Sequence, residues 1–404
     1  MGTRVKRRRL TDNDLQPDEI CQPASSSEKD SWNGFCEIES EPALFNVMLR
    51  DFGVKGVKVQ EVVSLDEEMM AFLSNPVYGL IFLFRWRQDT DGKQEATCPD
   101  GLWFANQTAN NACASVALLN IVNNIPGVDL GEHLRAFKEF TMPFTPALRG
   151  DAINNFDFVK RIHNSYARKM DILNSDFQLK TEATTRKRGP KGHEDDESDT
   201  AFHFIAFMPA MGQLWKFDGL ERQPRALGQC SDEDWLQLVR PNLLDRMAAY
   251  EEDEIEFSIL GLVHDPLPDL VTELAVNVKS LEVLNERASS LGSLPEALAL
   301  DDTVLGPDDS LTLTREAIDA VVIPAEILQE YHTCSESQLL QHQQTQSQNQ
   351  RGLRSRIREE QQSHRSDDEY AAGRRYDYSP AIRWWLRLLA RKQELQELSA
   401  LVAE

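Results

Sequence analysis

A chain of 404 residues with 66 acidic against 43 basic side chains, a formal net charge of −23, offers no broad electropositive face to nucleic acid; it favours a basic protein surface or peptide as partner. At 41% hydrophobic it has material for one well-buried domain of about 200–250 residues plus extensions, and no stretch reaches the roughly 18–20 apolar residues that span a bilayer. Six scattered cysteines without a close pair (Cys21, Cys36, Cys98, Cys113, Cys230, Cys334) exclude a disulfide framework and a zinc site, and point to a reducing, intracellular compartment.

Residues 1–31 are polar and are expected to be disordered. The basic cluster Arg4, Lys6, Arg7, Arg8 and Arg9 is not followed by an apolar core, so it is no secretory signal; it reads as a nuclear address or as a solvated end. Ser40-Glu41-Pro42 marks a helix start with Ser40 as N-cap, and the helix runs to Gly53. Val54 to Val63 alternates as a strand, and Val77 to Trp86 is a fully buried strand. A second ordered block spans Leu102 to Ala167. The basic run Arg186 to Lys191 and the acidic run Glu194 to Asp199 place a loop or insertion at 169–200. Beyond Pro266 helices are expected over Leu270–Leu291 and Arg315–Tyr331, an unstructured linker or weakly populated helix over 335–371, and a terminal helix over Ser379–Val402.

Chemistry concentrates in three segments. In Asn106 to Leu119, Asn110 or Asn111 is a natural N-cap and Ala112 to Val122 is strongly helical, which puts Cys113 in the first turn of a buried helix. There unpaired N–H groups and the helix dipole are expected to lower a thiol pKa from about 8.5. Gln107, one loop earlier, is placed to share an oxyanion hole with the Cys113 N–H. An isolated cysteine in such a helix is ordinarily a small core residue. The partners decide otherwise. Phe202 to Met208 and Leu214 to Asp218 form a hairpin; with Ala210 and Met211 at its tip, His203 lies directly opposite Asp218 on one face. Phe202, Phe204, Trp215 and Phe217 then face the core. That arrangement gives Cys113 as nucleophile, His203 as base and Asp218 as orienter. His163 is read as structural, and Cys36, Cys98, Cys230 and Cys334 as inert. No cofactor or metal is expected.

These residues resemble the ubiquitin C-terminal hydrolase family: Gln107 six residues before Cys113 in Asn110-Asn111-Ala112-Cys113, then His203 in Ala201 to Phe204 and Asp218 in Phe217 to Leu220. Glu39 to Pro42, Phe52 to Val57, Gly79 to Phe84 and His163 to Arg168 are similar to further family segments. The resemblance covers about residues 33–265. It implies an α+β, papain-like cysteine peptidase fold, a central antiparallel sheet flanked by helices with a C-terminal helical extension. It also implies removal of ubiquitin from conjugates; the expected nuclear as well as cytoplasmic location rests on the basic cluster Arg4 to Arg9. By the same resemblance 32–265 is the catalytic domain, 169–200 its crossover loop (or an insertion without role), and 266–334 a helical extension. Residues 372–404, with Arg374 to Ile382, resemble the adaptor-binding module of the two long members, one proteasome-associated and one of Polycomb type; the spelling leans to the proteasomal one. A ubiquitin-binding scaffold with little turnover and a peptidase for unrelated peptides are the other readings.

Overall fold

The computed structural model describes residues 25–85, 95–169, 171–172, 202–251, 257–291, 303–376 and 378–391. In chain order these form helices α1 (Ser26–Ser31) and α2 (Pro42–Phe52), strand β1 (Val57–Glu61), the single turn α3 (Glu67–Met70) and strand β2 (Val77–Arg85). Four helices follow, α4 (Cys113–Val122), α5 (Gly131–Thr141), α6 (Pro146–Asn154) and α7 (Asp157–His163). The hairpin β3 (Phe202–Ala210) and β4 (Gln213–Asp218) leads to β5 (Arg225–Gln229), α8 (Trp235–Glu251) and β6 (Phe257–His264). The extension comprises α9 (Leu267–Leu291), α10 (Arg315–Ala320), α11 (Ala325–Thr333), α12 (Glu336–Arg374) and α13 (Ser379–Arg391).

The six strands make one antiparallel sheet in the order β1-β6-β2-β3-β4-β5. Strand β2 reads as an unbroken apolar run because it is paired on both edges and covered on both faces. On one face Ile81, Phe204, Ala206, Met208, Trp215 and Phe217 pack with α2 and α4. On the other, Leu80, Phe82, Ile205, Phe207 and Leu214 pack on Trp235, Val239 and Leu243 of α8. Helix α4 is apolar all round, and every residue from Ala114 to Val122 is buried. At about 1.5–3 kcal/mol for each large aliphatic side chain taken out of water, its position against β3 is strongly fixed. This is the α+β architecture the resemblance implies.

Several local expectations are corrected. The first 24 residues lie outside the described set, but Ser26–Ser31 within the expected disordered segment is a helix, closed by a capping box between Ser25 and Glu28. Ser40 does not cap α2: Glu41 holds the N-cap position, and Ser40 Oγ donates instead to Ser258 Oγ at 2.8 Å. The expected helix Arg315–Tyr331 is two helices, because Val321 and Pro324 are extended and Pro324 starts α11. The predicted loop at 169–200 lies outside the described residues apart from Lys169, Asp171 and Ile172.

The largest correction concerns 335–371. It is the body of α12, a helix of 39 residues. Its Gln, Arg, Glu and Ala content carries good helix propensity but almost no apolar periodicity, so no amphipathic face is visible in the sequence. Partners supply what the pattern lacks. Leu339 and Ile357 enter two small apolar clusters with α9. Gln350, 1% exposed, donates to Asn277 Oδ1 and the Val304 carbonyl and accepts from the Val304 N–H. The distal half of α12 then runs over the catalytic domain. Lys58 pairs with Glu360 at 2.8 Å, Arg50 with Asp368 at 2.6 Å, and Ala371 is buried in the main core.

Candidate active site

The hairpin register differs from the expected one by a single step at the tip. Met211 and Gly212 form the turn with φ of 54° and 73°, the left-handed pair that matches strand twist, so Ala210 pairs with Gln213 and Ile205, not His203, lies opposite Asp218. His203 and Ile205 project from the same face, so His203 becomes the diagonal neighbour of Asp218 and still reaches it: His203 Nε2 to Asp218 Oδ1 is 2.7 Å. A carboxylate only accepts, so Nε2 carries the proton and Nδ1 keeps its lone pair. His203 and Asp218 are 4% and 6% exposed. Burial raises the Asp218 pKa, but the His203 hydrogen bond and charge, Lys216 and the Leu220 N–H together outweigh it and hold the carboxyl below its usual range. Lys216, itself buried, lies 3.9 Å from Asp218 Oδ2 and 2.8 Å from Glu221.

Cys113 is the first residue of α4, as expected, but neither asparagine caps it. Ala112 is the N-cap without a side-chain hydrogen bond, while Asn111 takes a left-handed φ of 62° and donates from Nδ2 to the Phe35 carbonyl. The expectation of a lowered thiol pKa is overturned. Desolvation pushes the Cys113 thiol up to about 11, and the amides of Phe204, Ala114 and Cys113, which pull it down, do not compensate. Among the described residues the thiol makes no hydrogen bond to the His203 ring; its neighbour on β3 is the backbone of Phe204, the residue that follows. At rest Cys113 therefore holds its proton as a neutral thiol.

Gln107 is tied to the end of β4, its N–H donating to the Gly219 carbonyl at 2.9 Å. A Cβ on Gly219 would lie 3.0 Å from Gln107 Cβ, so any larger residue there would press on the Gln107 loop. Gln107 Nε2 donates to the Ala109 carbonyl, which fixes the amide's orientation and leaves one N–H free. Phe202, expected in the core, is 40% exposed and lines the cleft with Cys113.

That cleft has a volume of about 440 Å³ and an acidic wall, Glu37, Glu39 and Asp171, crossed by Arg168 and Arg374. No sequence signal links Arg374 to Asp171. The two are far apart in the chain and meet only because α12 is one continuous helix. Behind the cleft His163 is fully buried: Nε2 donates to the Cys36 carbonyl at 2.8 Å, and Nδ1 accepts from Ser115 Oγ at 2.7 Å. It joins α4, two residues past Cys113, to the wall at Cys36, which is the structural role expected.

Burial lowers the His163 pKa from 6.5 to about 4. A base depressed in the folded state contributes stability that is complete above pH 6.5 and is lost as pH falls toward 4, about 3 kcal/mol in all. His163→Gln should therefore cost about 2–3 kcal/mol in urea unfolding at pH 7 and much less at pH 4.5. An equal cost at both values would remove His163 from the acid response.

Thiol-dependent hydrolysis is the class of chemistry that this fold and cleft define. Residues 35–248 match the ubiquitin carboxyl-terminal hydrolase family 1, more than half of the chain, and the chain belongs to that family. It is 33% identical over 260 residues to the ubiquitin carboxyl-terminal hydrolase isozyme L5 of Dictyostelium discoideum, covering 64% of this chain and 71% of that protein. To ubiquitin carboxyl-terminal hydrolase ubh-4 of Caenorhabditis elegans it is 34% identical over 275 residues, 67% of this chain and 78% of that protein. Among solved structures, the Trichinella spiralis UCH37 catalytic domain bound to ubiquitin vinyl methyl ester aligns with 31% identity and a TM-score of 0.46, over 57% of this chain and 96% of that one.

Proposed function

We propose that this chain hydrolyses the bond after the C-terminal glycine of ubiquitin, with Cys113 as nucleophile, His203 as base and then acid, Asp218 as orienter and Gln107 as oxyanion donor. The observation that carries the reading is the 2.7 Å bond from His203 Nε2 to Asp218, which reserves Nδ1 for the thiol proton, on the strand whose next residue adjoins Cys113. The thiol loses its proton to Nδ1 as sulfur attacks the glycine carbonyl carbon. The free N–H of Gln107 and the Cys113 amide take the oxyanion. The imidazolium returns the proton to the departing amine, leaving a thioester. Water, deprotonated by the same ring, then releases the carboxylate and the free thiol. Asp218 offsets the imidazolium charge throughout. The acidic wall suits a tail with arginines, and a narrow groove suits its two glycines.

A scaffold without turnover would have no use for an imidazole clamped by a carboxylate on the strand that also adjoins a helix-start thiol. The direct test is release of a fluorophore from the C terminus of ubiquitin by the full chain. A rate equal to the uncatalysed one would return the scaffold to first place, and equal cleavage of unrelated fluorogenic peptides would favour a general peptidase.

The adaptor is proposed to be of the proteasomal type and to bind 372–404. In support, α13 leaves Ile382, Trp385 and Leu386 exposed on one apolar face with Trp385 as its anchor, and Trp384 exposed on another side of the helix. Residues 392–404, which hold the rest of the expected terminal helix, lie outside the described set. Trp385→Ala should leave thermal unfolding unchanged within about 0.5 kcal/mol and abolish co-sedimentation with proteasomal peptidase activity. Retained co-sedimentation would place the adaptor surface elsewhere. A nuclear as well as cytoplasmic location rests on Arg4 to Arg9, and replacing that cluster with alanine in a fluorescent fusion should empty the nucleus.

A further inference from the structure

We infer that Arg374, at the last residue of α12, is a positioning residue that holds the two sides of the active-site cleft in register, so that the cleft is complete only with the end of the C-terminal arm in place. The inference rests on the hydrolase reading above for its catalytic consequence, but not for its structural one.

The wall beside Cys113 is assembled from two segments that are distant in the chain, 37–39 and 166–171. Arg374 joins them with one guanidinium. Nε donates to Glu39 Oε2 at 2.7 Å and Nη2 to the Glu37 carbonyl at 3.1 Å; Nη1 donates to Asp171 Oδ2 at 3.1 Å and to the Tyr166 carbonyl at 3.2 Å. The direct link between the segments, Arg168 to Glu39, is longer at 3.7 Å. The Arg374 side chain is only 7% exposed.

Two of its four acceptors are main-chain carbonyls, and that decides between a fixture and a removable plug. A guanidinium competing for a substrate arginine's place needs carboxylates alone. One that also satisfies backbone oxygens leaves the Glu37 and Tyr166 carbonyls without that donor when it departs, whereas Asp171 keeps its bonds to Arg168. The surrounding turn is anchored as well. Ala371 is buried in the main core, and Arg375 lies over the Tyr166 ring at 5.2 Å and donates to Ser165 Oγ. The burden of keeping Asp171 ionised is shared too: burial raises its pKa, and Arg168 and Arg374 bring it below the usual range.

The test compares the full-length wild type with Arg374→Gln and Arg374→Lys. Backbone hydrogen exchange is followed by mass spectrometry over 36–40 and 165–172, and KM and kcat are measured on ubiquitin carrying a C-terminal fluorophore. In Arg374→Gln, exchange should quicken about tenfold in both segments, because one clamp serves both. KM should rise about five- to tenfold with kcat changed less than about twofold, since the wall orients the tail and does not touch the reacting atoms. Arg374→Lys keeps the charge but not the fork, and should fall between the two. Exchange unchanged in either segment, or a KM that falls, overturns the inference; a falling KM would make Arg374 a competitor of the substrate. Should the wild type show no turnover, the hydrolase reading fails, and the exchange measurement still decides the clamp.

Discussion

Cys113→Ala should abolish the covalent adduct that the wild type forms with ubiquitin bearing a C-terminal electrophile, and should lower turnover by a factor of about 10⁴–10⁶. On the mechanism proposed above the sulfur forms the acyl bond, and the replacement removes it while keeping the helix intact. Of the described cysteines, Cys36, Cys98, Cys230 and Cys334 do not line the cleft, and Cys113 does. The adduct is read directly by mass, so a bond that survives in the variant would move the nucleophile to another residue. The raised Cys113 pKa gives the experiment a second arm. Alkylation of the free wild-type enzyme by a small neutral reagent should climb about tenfold per pH unit up to about pH 11, because only the deprotonated sulfur reacts and its fraction grows until the pKa is reached. A plateau near pH 7 would mean that a thiolate is already present at rest.

Asp218→Asn should lower kcat by about 10²–10⁴ with little change in KM. The carboxylate can only accept, so it keeps the proton on His203 Nε2. An asparagine amide can turn its NH₂ toward the ring and stabilise the opposite tautomer, in which Nδ1 already holds a proton and cannot take one from the thiol. The imidazolium formed during attack would also lose its counter-charge. The Leu220 N–H would lose the anion that it serves, while Lys216 would keep its 2.8 Å pair with Glu221. Steady-state kinetics on the ubiquitin fluorophore substrate decides the matter. A variant within a few-fold of the wild-type kcat would reduce Asp218 to a packing role.

Much of the site was legible because its parts are local. A helix-start cysteine, a glutamine one loop upstream and a histidine and aspartate in one hairpin each leave a pattern in a short window. Even the error in the hairpin was harmless, since sliding the tip to Met211–Gly212 moved His203 by two residues along the same face. The environment was less legible. The thiol's pKa is set by how much protein surrounds it, and the pull of the helix terminus, which the sequence does show, is smaller than that burial. Long-range partners were not legible at all. Helix α12 hides its burial in glutamine and arginine side chains whose hydrogen bonds to Asn277, Val304 and the cleft wall exist only once the chain has folded. Arg374 in sequence is one arginine among many in a polar tract.

The neutral state of Cys113 also bears on oxidative damage. With a pKa of about 11, roughly one molecule in 10⁴ carries the reactive sulfur anion at pH 7, against a few per cent for an ordinary surface cysteine. Peroxide attacks the anion, so sulfenic acid should form on the idle protein more slowly than on such a cysteine, which mass spectrometry of peroxide-treated protein would check. On the mechanism proposed above, the sulfur that reacts stays protonated until substrate is bound.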